Sequence, residues 1–228
     1  MSKSLSALAR ENEMDIQEFG EGRQLLLLHG GGGRGTLEPF ARSLADRFQV
    51  FLPTHPGFDG TARRDTIASA RDLACAYVDL VAAADMRGLL VAGFSMGGWI
   101  AAEMAALHSA RLAGLILVDA VGLSVPGETI LDVFTTPPSD LPSYSYHRPE
   151  RFRIDPASLG PERRAAIQAN LSALAAYDTS PTMQDESLVD RLRGVDIPAL
   201  VLWGASDRVA TPTYGGHLLM RCREDASR

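Results

Sequence analysis

The stretch "GLLVAGFSMGGWIAAEMAA" (Gly88–Ala106) decides the fold. Its first half is a continuous apolar run of the kind that forms a strand buried on both faces, and its second half is alanine-rich and reads as a helix. The two meet at Gly93-Phe94-Ser95-Met96-Gly97 with no loop between them. A strand running straight into a helix through Gly-x-Ser-x-Gly is the context of a nucleophile elbow, where a sharp turn leaves the serine exposed above the sheet. The flanking glycines fit such a turn because backbone segments pass close together there and a Cβ would clash. Ser95 then stands at a helix N-terminus, whose free N–H groups and dipole favour an anion. The bland reading of the same five residues is a Gly-Ser turn with no chemistry.

Upstream, "LLLLHGGGGRGT" (25–36) ends another strand in a glycine run. Four glycines after His29 leave backbone N–H groups free to approach a developing oxyanion, which preorganised donors stabilise more than the ground-state carbonyl. Gly31 is the candidate donor, paired with the N–H of Met96. A glycine loop after a strand can also cradle phosphates. This one lacks both the Gly-Lys-Ser/Thr ending of a phosphate loop and the spaced glycines of a dinucleotide fingerprint. His29 itself reads as structural, shaping the loop.

The alternation continues outward. "QLLLLHG" (24–30), "FQVFLPTHPG" (48–57), "LAGLILVDA" (112–120) and "IPALVLWGASD" (197–207) read as strands, and "TIASARDLACAYVDLVAAAD" (66–85) as an amphipathic helix. The expectation is an α/β fold: a mainly parallel sheet with helices on both faces. Between Val121 and Val195 the rhythm breaks into a proline-rich stretch with aromatics (Phe134, Tyr144, Tyr146, Phe152) and one clear helix, "PERRAAIQANLSALAAY" (161–177), with Pro161 in its first turn. Aromatics are scarce in disordered chains, so this reads as an inserted cap over the carboxyl edge of the sheet rather than a linker. The expected organisation is core 1–120, cap 121–195, and a second, incomplete core part 196–228.

With 228 residues, 46% hydrophobic and 22% charged, the chain suits one large domain or one domain with an insertion. A net charge of -6 and no basic stripe argue against nucleic acid as a partner. The N-terminus lacks the apolar run of a signal peptide and no stretch approaches the ~20 residues of a membrane span, so a cytoplasmic location and no membrane partner are expected. Cys75 and Cys222 fit no metal spacing. Cys75 reads as a small core residue on a helix, and no disulfide, metal or organic cofactor is expected.

Five pieces, "LLLLHGGGG", "LPTHPGFDGT", "GFSMGG", "LILVDAVG" and "IPALVLWGASDRVATP", together resemble the α/β-hydrolase-fold family, in particular its cap-bearing esterases, epoxide hydrolases and C–C hydrolases. The resemblance runs from about Met14 to Tyr214. It implies Ser95 as nucleophile, Asp207 as the acid of the triad, and Gly31 with Met96 as oxyanion donors. A serine at the elbow speaks against the epoxide-hydrolase and dehalogenase chemistries of the fold, which use an aspartate there. Asp207 also fits physically, in a loop just past a strand where a carboxylate can orient an imidazole. Asp119 ends a strand too and is the rival acid; the resemblance favours Asp207.

The family's histidine follows the acid after a further helix and strand, a connection of a dozen residues or more. Only 21 residues follow Asp207 here, ending in the polar "RCREDASR". His217 could serve only if a loop replaced both elements, while His55, His108 and His147 read as a turn residue, a helix-end residue and a cap residue. Back-translated with one choice of codons and read in a shifted frame, the tail spells the rest of a helix, a Pro-Gly-Gly turn and the start of a strand. The expectation is a truncated or frameshifted end that lacks the last strand and the triad histidine. The function expected is a serine hydrolase of small, mostly apolar carboxylic esters or related acyl compounds, impaired in this chain. The alternative is a non-catalytic pseudoenzyme or small-molecule-binding protein. A bared sheet edge would favour a homo-dimer or aggregation.

Overall fold

A computed structural model of the chain describes residues 4–223 apart from 154, 156, 157 and 179–181, with backbone alone at 109 and 219–223. The side chain of Cys222 and the tail residues 224–228, read above as out of frame, lie outside the described residues.

The apolar runs become strands. Before the break in rhythm come β1 (Asp15–Phe19), β2 (Arg23–Leu28), β3 (Phe48–Thr54), β4 (Leu89–Phe94) and β5 (Leu112–Val118), with helices α1 (Leu5–Glu11), α2 (Glu38–Leu44), α3 (Ala70–Ala83) and α4 (Met96–His108) between them. The intervening segment holds β6 (Gly122–Leu123), α5 (Leu141–Ser145), α6 (Pro161–Tyr177), β7 (Gln184–Asp185) and α7 (Leu188–Leu192). β8 (Ala199–Leu202) and α8 (Pro212–Arg223) follow. The main sheet has six strands in the order β1-β3-β2-β4-β5-β8, parallel throughout except for β1 against β3.

Both faces of this sheet are covered, which is why its central strands are apolar without alternation. Leu26, Leu28, Phe51, Val91, Leu115 and Leu117 pack with α1, α3 and α4 on one side. Leu25, Leu27, Val50, Leu52 and Ala92 pack with Leu37 and Ala41 on the other. Each leucine so buried contributes about 1.5–3 kcal/mol relative to exposure. α4 is buried from Met96 to Ala105 between the sheet and its neighbours, and its alanines let it lie close on the sheet. α3 begins at Ala70 rather than Thr66 because the Ser69 hydroxyl accepts from the Asp72 N–H and caps the helix there.

The segment 121–195 is tied to this core by polar contacts as well as apolar ones. Glu103 of α4, fully buried, accepts hydrogen bonds from Arg71 of α3 at 2.8 Å and from Arg191 of α7, which also pairs with Asp185 at 2.6 Å. The buried Tyr214 hydroxyl of α8 accepts from Leu123 N at 2.7 Å and donates to Leu123 O at 2.9 Å, pinning β6. Gly215 lets α8 lie on Trp203: a Cβ there would stand 2.4 Å from the indole. Gly215 therefore serves helix packing, and His217 sits on α8 rather than in a loop. β8 is the sheet edge, entirely apolar in sequence, with Leu200 and Leu202 50% and 46% exposed.

Candidate active site

Ser95 occupies the junction of β4 and α4 with φ = +53°, a left-handed conformation that strains any residue with a Cβ. The surroundings hold it there. Its N–H donates to Val118 O at 3.0 Å, and its carbonyl accepts from Gly98 N at 2.9 Å, Trp99 N at 3.2 Å and Val121 N at 3.3 Å. The two motif glycines make the turn possible: a Cβ at Gly93 would lie 2.1 Å from Gly97 O, and one at Gly97 would lie 2.3 Å from Leu28 O. The elbow is thus wedged against the end of β2.

That contact brings the glycine run to the serine. A Cβ at Gly30 would stand 3.1 Å from Ser95 Cβ and 3.7 Å from its Oγ. Gly33 N donates back to Gly30 O at 3.2 Å, closing a turn around Gly31. Met96 opens α4, so its N–H belongs to the first turn, where no preceding helical carbonyl is available. On its outer side Gly31 meets Leu174 of α6, whose Cδ2 would be 2.8 Å from a Cβ at that position. A cavity of about 230 Å³ opens beside it, lined among others by Gly31, Thr36, Asp59, Arg163, Ile167 and Asn170.

Beneath the loop lies a buried polar chain. His55 N donates to His29 Nε2 at 3.0 Å, which puts the His29 proton on Nδ1, donating to Gly30 O at 2.7 Å. The Nε2–H of His55 donates to His29 O at 3.0 Å, leaving its Nδ1 to accept from the Tyr77 hydroxyl at 2.7 Å. Burial pushes His29 down to about 4, with the bond to Gly30 O only partly offsetting it. Burial and the neighbouring His29 hold His55 well below the ordinary imidazole range. Both rings are neutral at pH 7 and shape the loop.

The two rival carboxylates stand side by side. Asp119, at φ = +45° after β5, donates its N–H to Leu202 O at 3.1 Å and accepts from Gly204 N at 2.7 Å on Oδ1. Asp207, after β8, accepts from Val209 N at 2.8 Å and Ala210 N at 3.3 Å. A Cβ at the intervening Gly204 would be 3.7 Å from Asp119 Oδ1 and 3.8 Å from Asp207 Cβ. Partial burial raises both carboxyls above their usual range. Backbone N–H groups offset this in each, while the charge of Asp119 adds to the rise at Asp207.

Among the described residues no imidazole hydrogen-bonds the Ser95 hydroxyl. His29 and His55 are engaged as above, and His108 Nε2 accepts from Arg111 Nε at 3.1 Å. His147, which reads from sequence as a plain cap residue, lies with Nδ1 2.9 Å from Ser206 Oγ, next to Asp207, and both line a cavity of about 500 Å³ with Tyr146 and Arg208. No local pattern signals that proximity, because it joins elements 59 residues apart. Among the described residues no three His, Cys, Asp or Glu side chains are grouped to hold a metal. No helix among them is long and apolar enough to cross a membrane.

The model of the alpha/beta hydrolase family matches residues 25–226. The chain is 32% identical over 103 residues to the pimeloyl-[acyl-carrier protein] methyl ester esterase of Vibrio cholerae, a match covering 45% of this chain and 38% of that protein. It is 29% identical to the 2-hydroxy-6-oxo-6-phenylhexa-2,4-dienoate hydrolase of Comamonas testosteroni, over 92% of this chain and 82% of that one. The matches to the methyl ester esterases span about two fifths of those proteins' length. Among solved structures, the enol-lactonase of Burkholderia xenovorans superposes with a TM-score of 0.68 at 19% identity, covering 91% of this chain and 84% of its own, a likeness of fold alone. The six-stranded, mainly parallel sheet and the family match agree: this chain belongs to the alpha/beta hydrolase family.

Proposed function

We propose that the chain is a serine hydrolase of small, mostly apolar carboxylic esters or related acyl compounds, with Ser95 as nucleophile, Gly31 and Met96 as oxyanion donors and Asp207 as the acid. The observation that carries this reading is the strained Ser95, φ = +53°, held between strand and helix with the glycine run against its side chain. Strain of this kind persists only where the surroundings enforce it and collects at functional sites. The relatives' names, a methyl ester esterase and a dienoate hydrolase, support a carbonyl-centred substrate.

In the complete reaction Ser95 Oγ forms a bond to the carbonyl carbon while a base takes its proton. The oxygen of the tetrahedral intermediate is held by the N–H groups of Gly31 and Met96. Collapse breaks the bond to the leaving alcohol, which receives the proton, and water then releases the acid from the serine. The segment 121–195 acts as the cap that covers the substrate, with Leu174 against Gly31 and Ile167 in the adjoining cavity as its apolar contribution.

A second reading, a pseudoenzyme that keeps the pocket, is favoured by one observation: among the described residues Ser95 has no imidazole partner, and an unassisted serine hydroxyl is a weak nucleophile. Fluorophosphonate labelling with a p-nitrophenyl ester as reporter separates the two. Labelling and turnover that vanish in Ser95→Ala support the hydrolase, and His217→Ala and His147→Ala then locate the base. A folded chain that binds the ester without labelling or turnover supports the pseudoenzyme.

A further inference from the structure

We propose that Asn170 is a positioning residue through which helix α6 sets the oxyanion loop, so that the Gly31 N–H is correctly placed only while α6 is seated. The proposal rests on the reading of Gly31 as a donor and adds the element that controls it. Asn170 is the one buried residue in the first ten of α6, 6% exposed, after nine exposed positions and before the buried Ala173, Leu174 and Tyr177. Its polar atoms are all engaged. Oδ1 accepts from Asp59 N at 2.7 Å, and Nδ2 donates to Asp59 Oδ1 at 2.9 Å and to Gly32 O at 3.3 Å.

Asp59 passes the hold onward, since its Oδ2 accepts from Arg34 N at 2.9 Å. One amide thereby grips the loop on both sides of Gly33, at Gly32 directly and at Arg34 through Asp59. The fit admits no other residue at Gly33: with φ = +84°, a Cβ there would lie 2.4 Å from Asp59 Oδ1 and 2.5 Å from Asn170 Nδ2. Asp59 is itself left-handed at φ = +50°. A strained loop held by a distant buried amide is a loop whose shape depends on that amide.

The rest of α6 seats the same pair of loops. Leu174 covers Gly31, and the buried Tyr177 donates its hydroxyl to Pro56 O at 2.7 Å while stacking on Phe58 at 6.2 Å. These contacts place the helix, whereas Asn170 and its partner Asp59 reach the backbone beyond Gly31. Lifting α6 would release Gly32 and leave Asp59, which holds Arg34, without its amide partner, so opening of the segment over the pocket and loosening of the oxyanion geometry become one event.

The test compares the purified chain with Asn170→Ala, Asn170→Gln and the double exchange Asn170→Asp with Asp59→Asn. In the double exchange the Asp59→Asn side chain can donate to Asn170→Asp and still accept from Arg34 N, while the Asn170→Asp carboxylate has no proton to give Gly32 O, so the hold through Asp59 is kept and the direct one is lost. Amide hydrogen exchange is read separately over 31–36 and over α6, and the rate constant of fluorophosphonate labelling is read beside the probe's apparent affinity. Asn170→Ala is expected to raise exchange over 31–36 roughly tenfold and to lower the labelling rate constant by a similar factor at unchanged affinity. The double exchange should restore both in part, through Arg34 and not through Gly32. If the alanine variant does not fold, Asn170→Gln, which keeps the amide and misplaces it, should show the same loop exchange in weaker form. Exchange over 31–36 in Asn170→Ala equal to the parent's, or a double exchange that restores α6 and leaves the loop as loose as in Asn170→Ala, overturns the proposal. A parent chain that takes no label defeats the reading of Ser95, and the exchange measurement then decides the hold on the loop by itself.

Discussion

Lowering the pH from 7.5 to 5 is expected to weaken the fold by way of His29. Its ring is fully buried with both nitrogens engaged, and its pKa is pushed from 6.5 down to about 4, chiefly by burial. A histidine kept neutral in the folded state stabilises above its unfolded pKa, and that stability is lost as the pH falls from 6.5 toward 4, because the unfolded chain binds the proton first. With those two values the share of His29 lost by pH 5 is about 2 kcal/mol. His55 shifts in the same direction and adds to the loss. Asp119 and Asp207, raised above the usual carboxyl range, act with the opposite sign as they protonate at lower pH. Urea unfolding at pH 7.5 and pH 5 of the parent and of His29→Gln isolates the contribution of His29. The variant should start less stable and lose about 2 kcal/mol less between the two pH values. Equal losses in parent and variant would refute the account of a neutral, buried His29.

Three further expectations follow from packing. Gly97→Ala forces a Cβ to within 2.3 Å of Leu28 O, a backbone atom with little room to yield, and should cost about 1–3 kcal/mol by thermal unfolding while slowing any labelling of Ser95. Glu103→Ala removes the buried carboxylate between Arg71 and Arg191 and should cost about 3–5 kcal/mol, nearer the lower figure because both arginines reach solvent; calorimetry of the two chains measures it. Leu202→Lys places a charge on the open edge of β8 and should shift size-exclusion profiles toward monomer wherever the parent self-associates, whereas an unchanged associated peak would place the contact elsewhere.

Much of the sheet was legible in the sequence because β2, β4 and β5 lie between helices on both faces, where burial demands unbroken apolar runs. The elbow was legible because its two glycines flank the serine within one strand-helix junction, although only Gly93 is fixed there, against Gly97, and Gly97 is fixed by Leu28 O at the end of β2. α6 announced itself by Pro161 and ends at Tyr177 as its pattern indicates. β1 escaped notice because it is a short edge strand with a single buried residue, Ile16, and its pairing with β3 crosses more than thirty positions. α1, α2 and α8 were unassigned for want of long periodic stretches. The site's remaining parts were hidden by distance along the chain. Nothing near Asn170 points to Asp59, 111 residues away, and nothing near His147 points to Ser206. The two candidate acids each end a strand, and the fold brings them together instead of setting one aside.

The assignment of Ser95 is open to a direct check. The folded chain is treated with a fluorophosphonate and the adduct is mapped by mass spectrometry, beside Ser95→Ala with its fold verified by circular dichroism. The proposed nucleophile predicts one adduct, on Ser95, absent from the variant. A folded parent with Ser95 unmodified, or an adduct that persists in Ser95→Ala, would contradict it.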